Sequence, residues 1–309
     1  MRWRPLCALT GADPETLSFL SGDRYDTAPA RAFAERAGLR MPPAERVIRR
    51  WADGLVGARF GAGEPPREPY GFQDVAGSRT WVVGGRDDPE YVLLHGLPLD
   101  ADSWAGVSGA LDGPALAADL PGLGRSAPAR SLADWTEALL EPVGTRPVLV
   151  GHSFGCGPVL RYARAHPDRV SAVVLVAPAF LQAPAGWFAR SAAAVPVLRR
   201  MSAARLGGGL GVPAEAITDL RRPGAARRVV EAMRTAYATR DELRVLLGRI
   251  EVPVTIVAGS ADSPVTGGPA VVIRGAGHYP QLTHPGEVAA ALRAAGGRTR
   301  PGPPRSARG

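Results

Sequence analysis

Pro147-Val148-Leu149-Val150 runs straight into Gly151-His152-Ser153-Phe154-Gly155, and residues 154–166 behind it read as a helix. A serine at a tight strand-to-helix turn is forced into a strained, exposed conformation. The flanking glycines let the turn close without a Cβ clash, and the helix start supplies a positive dipole end and free N–H groups. G-x-S-x-G in this context makes Ser153 the candidate nucleophile. The bland alternative is a glycine-rich turn with an incidental serine.

The rest of the chain has the rhythm that such a turn requires. Apolar runs at 80–83, 91–94, 115–118, 147–150, 172–176, 252–258 and 270–273 predict strands, and 101–111, 131–142, 154–166 and 285–295 predict helices. Runs such as VLV and VVLV do not alternate, as expected of strands covered on both faces. Ser131 followed by Asp134 fits a helix start, and Pro285 suits a first turn. Residues 180–249 show no strand and read as a helical insertion, with Gly207–Gly211 as a hinge. An arginine-rich segment, 1–68, containing a helix over 43–54, precedes the α/β part at 69–296, and 297–309 is expected to be a flexible tail.

Three further stretches carry chemistry. In Leu93-Leu94-His95-Gly96-Leu97-Pro98 the backbone N–H of Leu97 can face a developing oxyanion, with the N–H of Phe154 as second donor. Asp262 follows the strand ending at Ala258, and His278 stands in Gly275-Ala276-Gly277-His278. The order Ser153, Asp262, His278 is that of a Ser–Asp–His triad on an α/β sheet. Among five histidines, position favours His278 as general base. His95 and His152 are candidates to line the substrate site, although bracing a loop is the favoured role of the His95 imidazole. Phe180, Trp187, Phe188 and Tyr237 of the insertion are candidates to line an acyl pocket, with burial in a helix pair an equal alternative; Trp187 and Phe188 are the ones taken as substrate-binding. Cys156 reads as core.

LLHGLPLDADSW, DLPGLGRS, GHSFG, GSADSPV and GAGHYPQLTHP together resemble the α/β-hydrolase superfamily from Tyr70 to Gly296. The similarity is greatest to serine esterases, lactonases, thioesterases, carbon–carbon hydrolases and cofactor-free haloperoxidases. It implies a mostly parallel sheet flanked by helices, a helical cap at 180–249 and an acyl-enzyme mechanism. Relatives with an aspartate nucleophile, the haloalkane dehalogenases and epoxide hydrolases, are not matched at Ser153. Such proteins usually carry a helix between the acid and the histidine strands, where this chain has only 259–269. The added N-terminal segment is the natural candidate to cover the face left open. That segment is similar to the C-terminal helices of extended short-chain dehydrogenases, but no dinucleotide-binding half precedes it.

Composition narrows the remaining classes. The formal charge is +8, and all 37 cationic side chains are arginine; there is no lysine. A Walker A loop, a Schiff-base aldolase and lysine-bound pyridoxal phosphate are therefore excluded. The arginines form no stripe or nucleic-acid module, so no nucleic-acid partner is expected. Gly122-Leu123-Gly124-Arg125-Ser126-Ala127 formally matches a dinucleotide fingerprint but reads as a loop beside the active site. No metal-ligand spacing and no run near the ~18 residues of a membrane helix is present, and because residues 1–11 lack a seven-residue apolar stretch no signal peptide is expected. The expectation is a cytoplasmic serine hydrolase without cofactor or membrane partner, acting on a small-molecule or carrier-bound acyl substrate. A non-hydrolytic cyclase, lyase or ligand-binding protein on the same fold is the alternative.

Overall fold

A computed structural model describes residues 24–297, apart from Met41, Glu68, Gly267 and Pro269. Cys7 and the tail from 298 lie outside the described residues. The chain divides into two compact units at Arg50/Trp51.

The second unit is built on β1 (Tyr70–Val75), β2 (Ser78–Val83), β3 (Tyr91–Leu94), β4 (Ala115–Ala118), β5 (Val148–His152), β6 (Ala172–Val176), β7 (Val254–Gly259) and β8 (Ala270–Ile273). The strands form one sheet in the order β1-β2-β4-β3-β5-β6-β7-β8. β2 is antiparallel to β1 and β4; all other pairs are parallel. β3, β4, β6 and β8 coincide with the predicted apolar runs. β1 is missed by periodicity because Gly71, Gln73 and Asp74 dilute its apolar signal; it is held by its hairpin with β2.

The helices are α1 (Ala28–Arg36), α2 (Ala44–Gly57), α3 (Ala105–Gly109), α4 (Leu132–Leu140), α5 (Cys156–Ala165), α6 (Ala194–Arg200), α7 (Ala203–Leu210), α8 (Ala225–Ala238), α9 (Arg240–Leu247), α10 (Pro280–Thr283) and α11 (Pro285–Gly297). Ser131 caps α4 by accepting from the Asp134 N–H at 3.2 Å. Side-chain alternation sends each buried strand to two separate cores. Leu149, Val173 and Leu175 join Trp135, Leu139 and Leu160 of α4 and α5 on one face. Val150, Val174 and Val176 join Trp104, Val288 and Leu292 on the other, beside α3 and α11. Each such large side chain contributes roughly 1.5–3 kcal/mol on burial, so the central strands read as uninterrupted apolar runs because both faces are sealed.

Between β6 and β7 the chain is helical, as expected: a short 3-10 turn at Ala179–Leu181, then α6 to α9 with a 3-10 segment at Ala214–Arg221. Val212, Ile217, Leu220 and Val229 anchor this insertion to the first core. The expected hinge at Gly207–Gly211 is instead the end of α7, closed by Gly211 in the left-handed conformation at φ 68°. Helical hydrogen bonding outweighs the glycine cost there because Leu206 and Leu210 pack inward.

Among the described residues no helix joins β7 to β8. The connection is stitched by the Ser260 N–H to the Ile273 carbonyl and the Ala261 N–H to the Ala276 carbonyl, each at 2.9 Å. Val271 and Val272 on β8 stay exposed. The N-terminal residues of this unit do not cover them. Val56 packs on Trp81 and its neighbours, and Gly57 lies against Tyr70 and Trp81, at the opposite edge of the sheet. Among the described residues no helix is long and apolar enough to cross a membrane.

Candidate active site

Ser153 occupies the turn between β5 and α5 with φ 49°, a left-handed conformation that a serine adopts only when its surroundings impose it. The cause is crowding. A Cβ on Gly151 would lie 2.5 Å from the Gly155 carbonyl oxygen, and one on Gly155 would lie 2.5 Å from that of Leu94. Neither position accepts a side chain, so the chain turns sharply and lifts Ser153 out of the sheet.

His278 follows β8 and points its Nε2 at the Ser153 Oγ, 3.0 Å away. Its Nδ1 is 2.9 Å from Asp262 Oδ2, beyond the end of β7. The short β7–β8 connection thus still brings acid and histidine together. Asp262 is fully subscribed: the Gln182 amide donates to Oδ2 at 2.5 Å and the Ser263 N–H to Oδ1 at 2.7 Å. Burial acts to raise its pKa, but hydrogen bonds and charge from His278, with Gln182 and the Ser263 N–H, hold it below the usual carboxylate range. An ionised Asp262 fixes the His278 tautomer with Nδ1 protonated and Nε2 free to accept. Along this line a proton can pass from Ser153 Oγ to His278 while Asp262 stabilises the resulting imidazolium.

Leu97 and Phe154 both line a cavity of about 260 Å³ at whose wall Ser153 and His278 stand. Tyr279, next to His278, donates its phenol to the Leu97 carbonyl at 3.2 Å and ties the histidine loop to the Leu97 loop. Burial, reinforced by Asp262, pushes this phenol well up, so it stays a donor. The Leu97 loop is braced from its other end by buried charge. Asp100 and Asp102 meet Arg59 at 2.7 and 3.2 Å, Arg125 also pairs with Asp102, and Asp119 accepts the Ala101 N–H at 2.7 Å. Gln182 and Arg59 were not legible as site residues: Gln182 is an unmarked polar residue in an apolar stretch, and Arg59 precedes the recognisable motifs, whereas Asp100, Asp102, Asp119 and Arg125 lie within those motifs but carried no assigned role. Tyr279, adjacent to His278, had a positional signal.

Four expected lining residues are elsewhere. His95 is fully buried; its Nε2 accepts the Leu120 N–H at 2.9 Å and its Nδ1 lies 2.9 Å from the Gly96 carbonyl. It braces the loop as a neutral ring, its pKa lowered by burial. His152 is equally buried and its Nε2 donates to the His278 carbonyl at 2.8 Å. Burial, then the His278 charge, lower its pKa to about 3. It therefore positions the His278 backbone rather than substrate. Trp187 is 76% exposed and Phe188 43%, edge to face with each other and off the cavity wall. Of the insertion's aromatics Tyr237 does line the cavity, and Met233, Arg190 and Arg240 join it there. Periodicity alone could not tell which face of the insertion turns inward.

A parallel sheet with a glycine-flanked serine at the C-terminal end of a central strand defines an α/β-hydrolase architecture. The chain belongs to the alpha/beta hydrolase family, whose model matches residues 91–291. Among solved structures it is similar to wild-type Cfl2 from Burkholderia cenocepacia, at 23% identity and a TM-score of 0.62, covering 75% of this chain and 95% of that one. It is similar to a thermophilic esterase from Thermogutta terrifontis, at 20% identity and a TM-score of 0.59 over 74% and 97% of the two chains. The 2-hydroxy-6-oxo-6-phenylhexa-2,4-dienoate hydrolase of Rhodococcus sp. strain RHA1 matches at 21% identity and a TM-score of 0.57, over 71% and 94%. At these identities the likeness is one of fold.

Proposed function

We propose that the protein is a serine hydrolase of esters, thioesters or lactones with a small, largely apolar acyl group. The observation that carries this reading is the continuous line Asp262–His278–Ser153, at 2.9 and 3.0 Å, ending at a cavity wall. His278 takes the proton of Ser153 as its Oγ attacks the acyl carbonyl. Asp262 holds the ring and balances the imidazolium. The N–H groups of Leu97 and Phe154 receive the oxyanion; such donors are worth roughly 3–4 kcal/mol each in comparable sites. His278 returns the proton to the leaving group, and water, deprotonated by the same ring, releases the acid. The helical insertion serves as a cap over the acyl group, and its modest cavity suits a small substrate, free or carrier-bound.

Intact-protein mass after treatment with a small fluorophosphonate tests this. A single adduct on the wild type, absent from Ser153→Ala, is the expected result. Well-folded wild type that takes no adduct would refute the hydrolase reading and favour a non-hydrolytic use of the pocket.

A further inference from the structure

The cavity at Ser153 is lined by two arginines of the insertion, Arg190 and Arg240, on walls that are otherwise mainly apolar. The Arg190 guanidinium carbon lies over the Tyr237 ring, 3.7 Å from its centroid, and its Nε donates to the Ala185 carbonyl at 2.9 Å. Arg240 donates through one Nη to the Gln182 carbonyl at 2.8 Å, and its Nε is buried without a partner. Among the described residues neither guanidinium is paired with a carboxylate.

Three nearby arginines do have carboxylate partners. On α8 and α9, Arg227 pairs with Glu231 and Arg244 with Asp241; Arg161 of α5 pairs with Glu242. Some arginines of these helices are thus neutralised by a carboxylate, whereas the two that face the cavity have backbone carbonyls as their hydrogen-bond partners. Among the described residues Asp262 is the only carboxylate on that wall, and it is committed to His278, Gln182 and the Ser263 N–H. Two unneutralised cations beside apolar surface carry a desolvation cost that an incoming anion removes. Guanidinium offers forked N–H donors that match a carboxylate in plane, and stacking on Tyr237 keeps one fork oriented.

We infer that the cavity takes an acyl chain bearing a free carboxylate, held by Arg190 and Arg240 while the scissile carbonyl faces Ser153. The substrate class is then the half-ester or half-thioester of a short dicarboxylic acid. The inference rests on the hydrolase reading for the bond that is cleaved, but the anion site stands on its own contacts.

Calorimetry with two non-hydrolysable amides tests it: the N-butyl monoamide of glutaric acid, and N-butylpentanamide, which lacks only the carboxylate. The acid is expected to bind the wild type at least about ten-fold tighter at low salt. Added salt should erode the advantage, and the Arg190→Gln/Arg240→Gln double variant should lose it. Arg190→Gln alone, which leaves the Gln182 contact intact, should reduce the ratio and keeps the test usable if the double variant does not fold. Equal affinities, or no binding of the acid, would overturn the inference. The fluorophosphonate adduct reads Ser153 separately. An adduct without carboxylate preference sinks the anion site alone, and carboxylate preference without an adduct sinks the hydrolase reading alone.

Discussion

Asp262→Asn separates the charge of the acid from its role in setting the His278 tautomer. Both His278 Nδ1 and the Gln182 amide donate to Asp262 Oδ2, whereas Oδ1 receives only the Ser263 N–H, which faces solvent. An asparagine can orient in two ways. With its oxygen at the Oδ2 position it keeps His278 and Gln182 and sets its NH2 against the Ser263 N–H. Flipped, it keeps Ser263 but sets its NH2 against the buried Gln182 amide and forces His278 to protonate Nε2. A donor–donor clash costs more where water cannot relieve it, so the first orientation is favoured and the productive tautomer survives. What is lost is the charge-assisted part of one hydrogen bond, about 1–2 kcal/mol, or roughly 5–30-fold in rate. Gln182→Leu removes the buried clash. In that background the asparagine flips, and the loss grows towards the ~10⁴-fold seen when a triad histidine is held in the wrong tautomer. The assay is the second-order rate of fluorophosphonate inactivation for wild type, both single variants and the double variant. A ~10⁴-fold loss in Asp262→Asn alone, or a double variant no slower than that single variant, would refute the reasoning.

Four further outcomes follow from the geometry. His152 has its pKa lowered to about 3 against an unfolded value near 6.5. The unfolded state therefore binds the proton first, and stability falls as pH drops from about 6.5 towards 3, by up to roughly 4–5 kcal/mol. Urea titrations across this range should show the slope, and a flat profile above pH 5 would contradict it. Gly155→Ala places a Cβ 2.5 Å from the Leu94 carbonyl oxygen and should cost at least about 1–3 kcal/mol of stability, read as a lower urea midpoint; an unshifted midpoint would mean that the turn relaxes freely. Tyr279→Phe removes the phenol bond to the Leu97 carbonyl. It should lower stability by about 1 kcal/mol and slow fluorophosphonate labelling, and unchanged labelling would remove Tyr279 from the positioning of Leu97. Burial raises the Cys156 thiol far above its ordinary range, so in a Cys7→Ser background a disulfide reagent should react only after unfolding.

Several features of the fold were readable from local chemistry alone. The apolar runs at 91–94, 115–118 and 172–176 fall on β3, β4 and β6, because strands buried on both faces must be apolar throughout, and the run at 270–273 falls on β8 although Val271 and Val272 stay exposed there. The turn at Ser153 was legible because its glycines answer to steric limits within five residues. β1 was not legible, since its stability comes from the partner strand β2 and not from its own composition.

The sequence by itself determined seven of the strands, β2 to β8, the helical insertion and the order of Ser153, Asp262 and His278 along the chain, because periodicity and turn sterics act over a few residues. Tertiary structure alone decided which groups share the cavity. It turned Trp187 and Phe188 outward and Arg190 and Arg240 inward, buried His95 and His152 as braces, and brought Gln182 to Asp262 across 80 positions. Those outcomes depend on how the insertion packs against the sheet, and a packing interface is specified by both of its surfaces together, never by one stretch of chain.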